Sequence, residues 1–209
     1  MIFDNCRELI SFFPDCLFIA RAVVGRIRKD VTDHILTDDA WSHLEVELAE
    51  LLLQATLCHR QRLQNAGGSS HVFYDFKCSA KVEANLPTQL RESVQWLIGD
   101  WQRATKEMII RLQTDLWSFE ELGAMSISDQ VEKIEGPLSE YHLGSCVRRL
   151  HFDNGSAVVY KPRPVDKEVW WSGFHEWCES HEIPIVYVPK AIERTNYGWS
   201  QCLIVESYE

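Results

Sequence analysis

Apolar residues recur every three or four positions through the first half of the chain. Trp41, Leu44, Leu48, Leu51, Leu52, Ala55 and Cys58 share one helical face, and Asp38 or Asp39 stands where an N-cap is needed. "NAGGSS" (65–70) interrupts the periodicity as a loop. The next helix is predicted to open at Pro87, a residue suited to a first helical position. Leu90, Val94, Leu97, Trp101, Met108, Leu112 and Phe119 carry its stripe. Run unbroken to residue 119, that helix would be roughly 45–50 Å long. Stripes of this kind are core-facing surfaces of amphipathic helices.

Ahead of them, "LISFFPDCLFIARAVVGRI" (9–27) is mostly apolar but broken by Pro14, Asp15 and Arg21. It lacks the basic start and cleavage site of a secretory signal. Each central charge would cost a membrane span roughly 2.5–3.5 kcal/mol. A helix packed on the protein's own core is expected here, with no membrane span.

After "EGP" (135–137) the period shortens to two. "SCVRRLHF" (145–152) and "SAVVYKPR" (156–163) flank "DNG" (153–155), and Asn-Gly between two such runs is a strong hairpin signal. "VDKEVWWSGFHEWCESH" (165–181) reads as one helix, with Asp166 as N-cap and Trp170, Phe174 and Trp177 along one face. "IPIVYVPK" and "AIERTNYGWSQCLIVE" add two or three strands that turn near "TNYG" (195–198). The pattern is that of an α+β protein, helical over 1–136 and antiparallel β over 137–209. No βαβ repeat and no glycine-rich nucleotide loop occurs.

Composition changes this picture little. The 209 residues are 45% hydrophobic and 25% charged, as in ordinary globular proteins. A net charge of -10 argues against a general nucleic-acid binder. Seven cysteines without a CxxC pair suggest neither a disulfide framework nor a zinc site, and they fit a reducing cytoplasm.

One residue stands out chemically. Lys161 ends an apolar, β-branched run just before Pro162. An ammonium against a low-dielectric β surface holds phosphate oxygens far more strongly than one in bulk water. An edge-strand guard or a snorkelling surface lysine would give the same pattern.

"HLGSCVRRLHFDNGSAVVYKPRPVDKEVWWSGFHEW", followed by "ERTNYGW", resembles the dehydration domain of type II lanthipeptide synthetases, the LanM family. That family shows a segment of the form GDxHxxGRSVxxLxFxxGxxxVYKPR, answered later by a YGW motif. Upstream, Arg111, Leu112 and Asp115 match its RLxxD segment. The resemblance is strongest over 138–205 and extends back to about residue 40. It implies a helical cap followed by the small lobe of a lipid-kinase-like fold. It also implies an enzyme that phosphorylates Ser and Thr of a precursor peptide with ATP and Mg2+, then eliminates phosphate to leave dehydroamino acids.

Carried over by position, Lys161 and Arg163 would hold ATP phosphates. Tyr197 and Trp199, of the YGW motif, would shape the cofactor pocket and pack the lobe. Glu140 and His142 would serve the phosphate chemistry, although a hydrogen-bonded turn histidine would explain His142 equally well. The chain departs from the pattern there: Glu140 replaces an aspartate, and one residue instead of two separates His142 from Gly144. A shift of an ångström at such a site can cost about a hundredfold in rate. Glu176 is a candidate partner for Lys161, as in protein kinases, although a solvated helix face explains it more simply.

Phosphoryl transfer also needs a positioning carboxylate and metal ligands. No catalytic-loop signature or DFG-like triplet occurs, so the large lobe is expected to be absent and the chain inactive alone. The competing expectation is a non-enzymatic module that binds a leader peptide or a second chain carrying the missing lobe. An unrelated α+β protein with a coincidental VYKPR is the third.

Overall fold

The computed structural model describes residues 3–31, 35–65, 88–122 and 129–202. Helix α1 (Phe3–Asp30) contains Pro14 and turns Cys16, Ala20, Val23, Val24 and Ile27 inward. This spacing of three and four is that of a helix covering a core. Against it packs α2 (Asp38–Asn65), with Trp41, Leu44, Leu48 and Leu52 buried. The stripe fades beyond Leu52, and Cys58 is exposed.

The cap of α2 differs from expectation. The Ala40 amide donates to the Thr37 hydroxyl at 3.3 Å, so Thr37 fills the capping role. Asp38 and Asp39 occupy the first turn, where their charge suits the helix dipole.

Helix α3 (Thr88–Asp115) buries Trp101, Met108, Ile109 and Leu112. It ends as an α-helix at Asp115 and tightens into a 3-10 segment, Leu116–Leu122, which carries Phe119 into the core. The helix is therefore shorter than its apolar stripe. Pro87 and most of 65–70 lie outside the described residues, as does the strand end near Leu203.

A five-stranded antiparallel sheet follows in the order β1-β2-β3-β5-β4. Its strands are β1 (Val131–Glu135), β2 (Arg148–Phe152), β3 (Ala157–Lys161), β4 (Ala191–Glu193) and β5 (Gly198–Gln201). The β2–β3 hairpin closes at Asn154-Gly155, where the Ser156 amide donates to the Asn154 side chain at 2.8 Å. The Arg194 amide donates to the Tyr197 carbonyl at 2.9 Å and turns β4 into β5.

Two segments depart from the sequence pattern. β1 lies within a stretch that reads helical, because a bulge between Val131 and Lys133 breaks its alternation. "IPIVYVPK" forms no strand, and Val186 and Tyr187 are exposed. Its Pro184 and Pro189 lack the amides a ladder needs.

Between β3 and β4 lies α4 (Asp166–Ser180), preceded by the buried Val165. Val165 takes the N-cap position with no side-chain cap, and Asp166 is the first helical residue instead. The inward face of α4 is Ser172, His175 and Cys178. Trp170, Phe174 and Trp177 do share a face, as expected, but it is the exposed one. Phe174 stacks between the two tryptophans at centroid distances of 5.6 and 6.1 Å.

Helices and sheet share one continuous core, from Ile27 and Leu44 through Met108 and Phe119 to Leu150, Tyr160 and Trp199. Each large apolar side chain buried there contributes about 1.5–3 kcal/mol. Cys58, Cys146, Cys178 and Cys202 are free thiols, and Cys16, Cys146 and Cys178 are buried. No helix among the described residues is long and apolar enough to cross a membrane.

Candidate functional site

Lys161 sits at the last position of β3, where the pleat aims it at the start of α4. Its ammonium lies 3.3 Å from Glu168 Oε1, and its side chain is only 19% exposed. Arg163, two residues on, donates to the same oxygen at 2.6 Å. One carboxylate therefore holds two cations side by side. Burial pushes the Glu168 carboxyl up, but hydrogen bonds and charge from Arg163 and Lys161 more than offset this and hold it below 4.5. Lys161 pairs with the first turn of α4 and not with Glu176, which lies 3.9 Å from Lys190.

Arg163 also lines a cavity of about 430 Å3 with Glu140, His142, Arg103, Glu107 and Cys146. Thus Glu140 and His142 face one space with Arg163, which is about twenty residues further along the chain. Lys161 stands beside that space, joined to it through Glu168 and Arg163.

The segment carrying Glu140 and His142 ends in a tight turn. His142 and Ser145 exchange backbone hydrogen bonds of 2.8 and 2.9 Å across Leu143 and Gly144. Both central residues have positive φ, 50° and 82°, the pattern of a type I′ turn. The shortened spacing is thereby absorbed in a tight turn. A Cβ on Gly144 would stand 2.3 Å from the Asp100 backbone, so only glycine lets this turn seat on α3.

Tyr141 anchors the same segment from the other side. Its hydroxyl donates to Glu47 of α2 at 2.9 Å, while the flanking Glu140 and His142 are exposed. Glu47 also accepts from Trp101 at 2.7 Å and from Arg148 at 2.5 Å. Both members of the Glu47–Arg148 pair are almost wholly buried. Burial, then the Glu47 charge, raise the Tyr141 phenol far above its usual range, and burial pushes the Cys146 thiol up.

Tyr197 and Trp199 are placed elsewhere. Tyr197 and Trp199 donate to Asp115 Oδ2 at 2.7 and 2.9 Å, and Arg194 donates to its other oxygen at 2.7 Å. Trp199 is fully buried, and in this structure it packs the core and touches no cavity named above. The Tyr197 phenol is pushed up to about 12 by burial and by its bond to Asp115. A Cβ on Gly198 would meet the Val165 side chain at 2.1 Å, so β5 passes Val165 with no room for one. The RLxxD residues of α3 and the YGW residues of β5 are therefore two halves of one lock. Arg111 completes it, donating to the Tyr160 hydroxyl at 2.6 Å and covering the Tyr197 ring at 4.2 Å.

Arg103, Glu107 and Glu168 escaped the sequence reading. The first two stand four apart on α3, in step with Arg111, a spacing that puts them on one polar face. That signal was present, but a solvated face shows it equally.

A family model described as a domain of unknown function (DUF4135) matches residues 88–208, more than half of the chain. No curated protein matches it.

Proposed function

We propose a function from this premise: the chain belongs to the DUF4135 family. This domain is found in lanthipeptide synthetases. The chain is the phosphate-holding part of a dehydratase that acts on Ser and Thr of a precursor peptide, with the layout of a kinase small lobe. The observation that carries the reading is the convergence of Arg163, Arg103, His142 and Glu140 on one cavity, with Lys161 tied to its edge by Glu168.

The chemistry has two steps. The γ-phosphoryl group of ATP passes to a Ser or Thr hydroxyl, whose proton is taken up, and ADP leaves. The α-proton of that residue is then removed and phosphate leaves, giving dehydroalanine or dehydrobutyrine. Charge-assisted hydrogen bonds from Lys161, Arg163 and Arg103 neutralise phosphate oxygens in both steps. Glu140 and His142 handle the protons, from a turn held in place by Tyr141 and Gly144. The Lys161–Glu168 pair supports the reading further, because strand lysine and helix glutamate pair in kinase small lobes. Glu168 keeps the cations aimed before the anion arrives. Mg2+ would accompany the nucleotide. Among the described residues no three His, Cys, Asp or Glu side chains gather as a metal site, so no residue is assigned to it.

The test is calorimetric titration of the chain with a non-hydrolysable ATP analogue and Mg2+. Saturable binding, weakened about tenfold or more in Lys161→Ala and in Arg163→Ala, is expected. Absence of binding by a folded chain, or binding indifferent to both substitutions, overturns the proposal.

A further inference from the structure

A second cavity, of about 750 Å3, lies on the far side of Glu47, between α2 and β1. We infer that this groove binds an extended, cationic segment of another polypeptide, which adds to the sheet as a strand beside β1. The inference stands on this groove alone and not on the phosphate reading.

The backbone makes the first argument. β1 is an edge strand, paired with β2 on one side only. On its outer side the chain itself makes a single parallel bridge. The Val131 amide donates to the Ile35 carbonyl at 2.7 Å, and the Thr37 amide donates to the Val131 carbonyl at 3.0 Å. Leu36 thus bridges to Val131 in parallel. At Asp38 the chain turns off into α2. Among the described residues, no strand continues that track past Lys133, Ile134 and Glu135. The open stretch covers about 10 Å, enough to pair with about three residues of an added strand.

The lining makes the second argument. Val46, Ile134 and Phe152 give the groove apolar contacts. Its rim is acidic: five carboxylates line it, against one lysine. Two of the five are already paired, Glu47 with Arg148 and Glu135 with Arg149 and His151. That leaves the exposed Asp39, Glu50 and Glu132 to meet positive charge. A segment alternating apolar and basic side chains suits both features, because alternate residues of an added strand point to opposite faces. Charges on an edge strand can also serve only to repel unwanted pairing, and such an edge would bind no peptide.

The full chain would be titrated with a labelled peptide of about ten residues that alternates Lys and Val. Two controls replace Lys by Glu, or methylate alternate backbone amides. Saturable binding of the first peptide is expected, at least about tenfold tighter than either control, with new hydrogen-exchange protection at Lys133–Gly136. Glu50→Lys combined with Glu132→Lys should weaken it about tenfold without moving thermal unfolding, since both residues are exposed. Equal binding of all three peptides, protection elsewhere, or no binding overturns the inference. So does protection of the same amides by self-association without peptide, which would assign the edge to a second copy of the chain.

Discussion

Glu168 is the residue on which the two cations of the site depend. Its depressed pKa has a consequence with a definite sign. A carboxylate held below its unfolded value stabilises the fold at pH above about 4.5, and that contribution is lost as the pH falls through the folded-state pKa. Glu168→Gln should therefore lower the melting temperature at about pH 6. The gap between mutant and parent should narrow as the pH is taken well below 4.5. Thermal scans at the two pH values check this, and an unchanged gap would contradict it. At the same scale, Asp115 takes three donors from Arg194, Tyr197 and Trp199. Asp115→Ala strands them at least partly out of water and should cost about 2–4 kcal/mol, read from urea denaturation.

Among the elements, the turn at His142–Ser145 is tightly constrained. Gly144→Ala adds a Cβ at a positive φ and against the Asp100 backbone. A loss of about 2 kcal/mol or more is expected, with a shift in the ring resonances of His142. Elements differed in how far the sequence revealed them. The stripes of α1, α2 and α3 were visible because 3.6-residue periodicity survives over many turns. The β2–β3 hairpin was visible through Asn154 and Gly155. β1 was not, because its bulge leaves Glu132 and Lys133 both exposed in succession. "IPIVYVPK" misled in the opposite direction, since its β-branched residues carry the propensity while its prolines remove the pairing. Motif matches gathered Glu140, His142 and Arg163. Glu168 meets Lys161 and Glu176 lies on the solvated face two helical turns further on; helical phase alone cannot say which glutamate meets a strand end.

At the scale of the molecule, the helical region and the sheet are one unit. Glu47 and Arg148 are 101 residues apart and bond in the core. No local pattern could announce that pair, or the Tyr141 bond that fixes the candidate site from α2. Removing the carboxylate leaves the Arg148 guanidinium buried without its counter-charge. Glu47→Ala should cost about 3–5 kcal/mol. Far-UV dichroism and tryptophan fluorescence should fall together in one transition, and separate transitions for helices and sheet would contradict the shared core. The proposed function requires Lys161 and the cavity of Glu140, His142 and Arg163 to act as one phosphate site. Histidine-ring NMR checks this, with the ATP analogue and Mg2+ added to the chain and to Lys161→Ala. Saturable shifts of the His142 ring in the first and their loss in the second are predicted; saturable binding that leaves the His142 ring unmoved would contradict the account.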